Sequence, residues 1–247
     1  EEALKWYRAA AEQGVPEGQR NLATMYIYGT AVEKDEAEAF KWYRAAAEQG
    51  LDEAQFDLGL CYENGEGVEK DMAEAIKWYR LAAGQENMHA QNNLGCCYEK
   101  GEGVEKDMVE AAKWYRLAAE QGGDEAQDNL GVCYEKGEGV EKDMAEAVKW
   151  YRLAAEQGHA GAQNHLGCCY FDGEGVEKDK EEAVRLYRLA AEQGDEYAQN
   201  NLGECYQDGE GVEKDIAEAV KWYRLAANQL NPDALHNFGG CYYDGEG

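Results

Sequence analysis

Eight cysteines and four histidines are the side chains of this 247-residue sequence best suited to nucleophilic, redox or metal chemistry. Cys61, Cys97, Cys133, Cys169, Cys205 and Cys241 recur every 36 residues beside a repeated Tyr, and Met25 takes the same column once. A slot that accepts Met as readily as Cys reads as a small apolar core position. Cys96 and Cys168 complete the eight. No Cys-x-x-Cys occurs, and no His stands at metal-ligand spacing from another. His89, His159, His165 and His236 are scattered, and none recurs with an acid and a nucleophile. Ser is absent and Thr is limited to Thr24 and Thr30, which removes Ser nucleophiles, N-glycosylation sequons and Ser phosphorylation. No catalytic residue, metal ligand or cofactor is expected.

Acidic loops such as Asp172 to Asp179 invite a calcium reading, but they are too short for a twelve-residue loop with a bidentate Glu. Their Gly-x-Gly ends a helix instead of opening one, so they are not phosphate cradles. The chain carries 51 acidic and 24 basic residues, a net charge of −27. That argues against nucleic acid, whose binding rests on Lys and Arg neutralising phosphates, and against an anionic membrane surface. No apolar run approaches the ~18 residues of a membrane span, and no signal sequence is visible.

Repetition dominates the chain. Lys-Trp-Tyr-Arg recurs at 36-residue steps, with Trp6, Trp42, Trp78, Trp114, Trp150 and Trp222, and Leu186 takes the missing slot inside Arg185-Leu186-Tyr187-Arg188. Gly-Glu-Gly-Val-Glu-Lys-Asp starts at Gly65, Gly101, Gly137, Gly173 and Gly209, with a weaker copy at 29–35 and a cut one at 245–247. Full units span 15–50, 51–86, 87–122, 123–158, 159–194 and 195–230; 1–14 is a second half-unit and 231–247 a first half-unit. In unit 51–86, the spacing of Ala54, Leu58, Cys61 and Tyr62 predicts a helix from about Glu53 to Asn64. Gly65 and Gly67 end it. Asp71 caps a second helix, with Glu74 completing an acidic capping box. Ala75, Trp78, Tyr79, Ala82 and Ala83 form its apolar face. One hairpin cannot bury that face alone, so the units must stack. The fold expected is an all-α, right-handed α-solenoid (superhelix) of helix-turn-helix repeats.

Ala-Gln-x-x-Leu-Gly-x-x-Tyr, Gly-x-Gly-Val-x-x-Asp and Ala-x-x-Trp-Tyr-x-x-Ala-Ala-x-x-Gly, at this period, resemble the Sel-one-like repeat (SLR), a relative of the tetratricopeptide repeat (TPR). The resemblance covers essentially the whole chain. It implies an adaptor, in protein quality control, signalling or host interaction. Secreted cysteine-rich SLR proteins bridge a first-helix Cys to a second-helix Cys, but here no second helix holds one. Equivalent cysteines in adjacent repeats should lie roughly 10 Å apart, beyond the ~7 Å Cα reach of a disulfide. Core thiols in a reducing, cytoplasmic setting are therefore expected.

Four columns vary between units: the third, sixth, tenth and thirteenth positions, which share one face of the first helix. They are Glu17, Arg20, Thr24, Ile27; Glu53, Phe56, Leu60, Glu63; and His89, Asn92, Cys96, Glu99. Then follow Glu125, Asp128, Val132, Glu135; Gly161, Asn164, Cys168, Phe171; Tyr197, Asn200, Glu204, Gln207; and Asp233, His236, Gly240, Tyr243. In TPR-like superhelices the matching face lines a concave ligand groove, and the apolar Phe56, Leu60, Phe171, Tyr197 and Tyr243 would then mark binding. Unconstrained surface drift is the alternative. A neighbouring column holds Asn21, Asn93, Asn129, Asn201 and Asn237, with Asp57 and His165 substituting. It resembles the asparagine ladder by which TPR superhelices hold an extended partner's backbone; bonding between neighbouring helices fits equally.

The reading is a non-enzymatic scaffold binding a partner protein or peptide segment, basic at one end and apolar at the other. A structural spacer without a groove ligand is the first alternative, an enzyme-linked secreted relative the second. The half-units at either end suggest a window from a longer array. Trp6, Tyr7 and Ala10 would then cover Leu235, Phe238 and Tyr242 of another copy in end-to-end self-association.

Overall fold

The computed structural model describes residues 1–243, the side chain of Tyr242 apart. Among the described residues there are fourteen helices and no strand. They are α1 (Glu2–Glu12), α2 (Pro16–Tyr28), α3 (Glu36–Ala47), α4 (Asp52–Asn64), α5 (Met72–Ala83), α6 (Met88–Lys100) and α7 (Met108–Glu120). Then come α8 (Asp124–Lys136), α9 (Met144–Glu156), α10 (Ala160–Asp172), α11 (Lys180–Glu192), α12 (Glu196–Asp208), α13 (Ile216–Asn228) and α14 (Pro232–Tyr243). Residues 1–123 form one compact unit and the described residues from 124 onward a second. Within each unit every helix packs on its neighbours in chain order. The all-α repeat architecture is the one the periodicity predicts, and α4 starts within a residue of its expected place.

The helix boundaries follow from local chemistry. Asp35, Asp71, Asp107, Asp143, Asp179 and Asp215 each accept a backbone N–H from the first turn of the second helix. The reciprocal half of the capping box is not made. The Asp71 N–H is already bonded to the Tyr62 carbonyl at 2.9 Å, and that of Asp35 to Tyr26 at 3.0 Å. The glutamate is thus released to pair with a Lys one turn on, as Glu38 does with Lys41 at 2.6 Å.

Two glycines are demanded by close approach. Gly67 has φ +70°, and a Cβ there would sit 2.1 Å from the Glu36 carbonyl oxygen, so the loop after α4 lies flat on the start of α3. Gly59 in α4 faces the Tyr79 ring of α5, where a Cβ would come within 2.4 Å. The core is therefore tyrosine on glycine and alanine. Tyr79, Tyr115, Tyr151 and Tyr223 are the largest fully buried side chains, beside Leu58, Leu94, Leu130 and Leu202. Trp78 and Trp114 are only half-buried and cap the preceding hairpin's core.

The recurring glutamines join repeat to repeat. Gln55 of α4 donates to the Ala47 carbonyl at the end of α3 at 3.3 Å, and Gln85 donates to Gln55 at 2.9 Å. In the second unit Gln199 donates to Ala191 at 3.1 Å, and Gln229 donates to Gln199 at 3.0 Å. The bonds from Gln55 and Gln199 satisfy a carbonyl at a helix C-terminus, which the helix itself leaves unpaired.

Candidate partner-binding face of the first helices

The four variable columns do share one face, but burial divides them. The third position is exposed at Glu17, Glu53 and His89, at Glu125 and at Tyr197, which is 56% exposed. Tyr243 is 92% exposed. Leu60, Glu63 and Glu99 are half-buried, as is Glu135, and Asp128, Asn164 and Asn200 are buried. Phe56 and Phe171, expected to be open apolar contacts, are half-buried. Phe56 lies between Tyr79 and His89, ring centres 5.8 and 5.7 Å away. Phe171 packs on Tyr187 and lies under Lys180, 4.7 Å from the ring centre.

A single requirement explains much of the variation at the tenth and thirteenth positions. Each hairpin buries a second-helix tyrosine whose hydroxyl reaches this face and needs a partner. Glu63 accepts it from Tyr79, Glu99 from Tyr115, Glu135 from Tyr151, and Gln207 from Tyr223 at 2.7 Å. Where the thirteenth residue is apolar, the tenth supplies the partner instead. Thr24 lies 3.0 Å from the Tyr43 hydroxyl in the hairpin with Ile27, and Cys168 accepts from Tyr187 at 3.4 Å in the hairpin with Phe171. Burial, reinforced by the Glu63 carboxylate, lifts the Tyr79 hydroxyl far above its ordinary pKa, so it stays a donor.

The sixth position of one repeat meets the seventh of the next. Arg20 pairs with Asp57 at 2.7 Å, Asp128 with His165 at 2.8 Å, Asn164 with Asn201 at 2.9 Å and Asn200 with Asn237 at 3.1 Å. The apparent irregularity of the asparagine column is thus paired exchange: where Asn gives way to Asp or His, its partner changes too. Burial outweighs the Arg20 pairing and leaves the Asp57 carboxyl above its ordinary pKa. For His165, burial opposes protonation but the Asp128 carboxylate overcomes it, and the imidazole titrates above its ordinary value. Asn93 bonds the Tyr79 hydroxyl. Asn21 is half-buried in α2, and Asn129 is half-buried in α8.

The cysteine column lies in the core: Cys61, Cys97, Cys133, Cys169, Cys205 and Cys241 are buried, and none of the eight cysteines forms a disulfide. Burial pushes Cys61, Cys97, Cys169 and Cys205 up to about 12, which keeps them as unreactive thiols. Among the described residues no group of three or more His, Cys, Asp or Glu is placed to hold a metal. No described helix is long and apolar enough to cross a membrane. Trp6 and Leu235 are exposed, whereas the Tyr242 side chain and Gly245 to Gly247 lie outside the described residues.

The sequence reading missed two features. The glutamine pairs were invisible as pairs because their members lie 30 residues apart. Exposed leucines recur at one position of the second helices, Leu81 and Leu117 in the first unit and Leu153, Leu189 and Leu225 in the second. Their signal was present in the 36-residue period itself.

Comparison with known proteins matches this arrangement. The Sel1 repeat model matches residues 1–15, 16–51, 52–87, 89–123, 124–159, 160–195 and 196–229. A protective antigen of uropathogenic Escherichia coli, c5321, which displays an SLR fold, shares 40% identity at a TM-score of 0.88, over 98% of this chain and 52% of its own. This chain thus spans about half of that relative's length. A Sel1 repeat protein from Oxalobacter formigenes shares 39% identity at a TM-score of 0.80, over 87% of this chain and 86% of its own. Yeast Tom70, at 16% identity and a TM-score of 0.54 over 93% of this chain and 47% of its own, shares the fold alone. No curated protein sequence matches. Sel1 repeat proteins in general mediate protein–protein interaction and are in general non-catalytic scaffolds. With seven matched copies on a hairpin geometry that repeats from α2 to α13, this chain belongs to the Sel1 repeat family.

Proposed function

We propose that this protein is a non-enzymatic scaffold whose first-helix face holds a Lys/Arg-rich segment of a partner protein. The observation that carries this is the uncompensated negative charge on the face of α2, α4 and α6. Glu17 and Glu53 are exposed there, and the half-buried Glu63 and Glu99 are bonded by neutral tyrosine hydroxyls, which leave the carboxylate charge standing. Arg20, the one Lys or Arg in these columns, is already paired with Asp57. A basic segment supplies the missing cations, and a net charge of −27 steers it in. In the second unit the exposed Tyr197 and Tyr243 offer apolar contact on the corresponding face.

The test is a titration of the protein with a Lys/Arg-rich peptide and its Glu-substituted counterpart across salt. Affinity for the basic peptide should drop at least tenfold between low and high ionic strength, and Glu53→Lys with Glu63→Gln should weaken it further. Salt-independent binding, or a preference for the acidic peptide, overturns the reading. A spacer role without a groove ligand is the second reading. It draws support from the side chains of the sixth, seventh, tenth and thirteenth columns, which satisfy one another. Absence of binding by either peptide favours it.

A further inference from the structure

The one hairpin that lacks the repeated tryptophan carries an open cleft in its place. Trp222 shows what normally fills the slot. It packs on the core cluster holding Ala191 and Leu202, beside Tyr206, whose hydroxyl accepts from Arg188 at 2.7 Å. One repeat earlier the walls are the same: Ala155, Leu166, and Tyr170 accepting from Arg152 at 3.1 Å. The side chain at the slot, however, is Leu186, buried to 3% exposure on the cleft floor. What remains above it is a cleft of about 490 Å³ between α9, α10 and α11.

We propose that this cleft is a binding site for a tryptophan side chain presented by a partner polypeptide, the incoming indole taking the place of the ring this repeat has lost. The site lies on the second-helix side and is separate from the acidic first-helix columns. Three observations select an aromatic occupant. The same backbone walls hold the chain's own indole at Trp222, so the shape is already that of an indole slot. Leu166, Leu186 and the exposed Leu189 give the cleft apolar surface on its floor and lip. The rim carries two guanidinium groups, Arg152 and Arg185, beside the carboxylates of Glu156 and Glu182. Arg152 spends its N–H edge on Tyr170, and Arg185 spends its edge on Glu182 at 2.7 and 2.6 Å. Guanidinium hydrogen bonds lie in the group's plane, so both flat faces stay available to stack on a ring. A cation already lies over an aromatic ring elsewhere in the chain, at Lys180 over Phe171.

The experiment is an NMR titration of the full chain with N-acetyl-tryptophanamide and, separately, N-acetyl-leucinamide. Saturable shifts are expected at amides around Tyr170, Leu186 and Leu189, with the leucine amide at least tenfold weaker. Leu186→Trp restores the sequence found at this position in six other copies, so it should fold, close the cleft with its own indole and weaken the tryptophan amide at least tenfold. Equal binding by Leu186→Trp, equal binding of the leucine amide, or no saturable shift around the cleft would overturn the proposal.

Discussion

The Tyr187 hydroxyl donates to the Cys168 thiol at 3.4 Å because Phe171 stands where other hairpins place a carboxylate. In the 87–122 hairpin, by contrast, Tyr115 reaches both Cys96, at 3.5 Å, and Glu99. The same thiol position is thus a required partner in one repeat and a redundant one in another. Val132 shows that valine fits this column. Cys168→Val should therefore cost about 1–3 kcal/mol, the penalty for stranding a buried donor, while Cys96→Val should cost less than about 1 kcal/mol. Denaturant unfolding of the two variants checks it; equal losses would show that the hydroxyl bond is not what the column supplies.

Asn164 and Asn201 are expected to behave as one unit. Alanine at either should destabilise, and a double-mutant cycle should return a coupling of about 0.5–3 kcal/mol. Asn201→Ala also removes a donor from the Cys168 thiol. A coupling near zero, together with weakened ligand binding, would shift the column's role from joining repeats to holding a partner.

His165 should confer a pH dependence. Its folded-state pKa is raised above the ~6.5 of an unfolded chain, chiefly because the Asp128 carboxylate outweighs the opposing effect of burial. Its stabilisation is accordingly complete below about pH 6.5 and lost as pH rises through the folded value. The imidazole C–H resonances of His165 should titrate above the ordinary midpoint. In Asp128→Asn, which recreates the amide found at Asn164 and Asn200, the midpoint should fall. No change on that substitution would remove Asp128 as the cause.

Ala31 occupies the column of Gly67 yet sits at φ +60°, a conformation disfavoured for a residue with a Cβ. Ala31→Gly should raise stability by up to about 1 kcal/mol. Gly67→Ala should do much worse, since its Cβ would also meet the Glu36 carbonyl. Thermal melts of the pair decide it: a destabilised Ala31→Gly would show that chain entropy exceeds the strain.

The sequence by itself determined the period, the two helices per repeat, the aspartate caps and the glycine stops. Each of these rests on interactions within a few residues along the chain, and those leave a local signature. It also placed the cysteine column in the core, because a slot shared with Met25 has no use for thiol chemistry. The partners of the variable columns were decided only in three dimensions. Asp128 meets His165 and Asn164 meets Asn201 at a separation of 37 residues, one repeat plus one residue, which no helical period encodes. The same holds for the division of labour between the neighbours Trp78 and Tyr79. Both read as one apolar face, but packing against Gly59 draws the tyrosine fully inside while the indole stays half-exposed at the seam with the preceding hairpin. Likewise the loss of one tryptophan reads as drift in the sequence, and only the walls that remain around Leu186 turn it into a cleft.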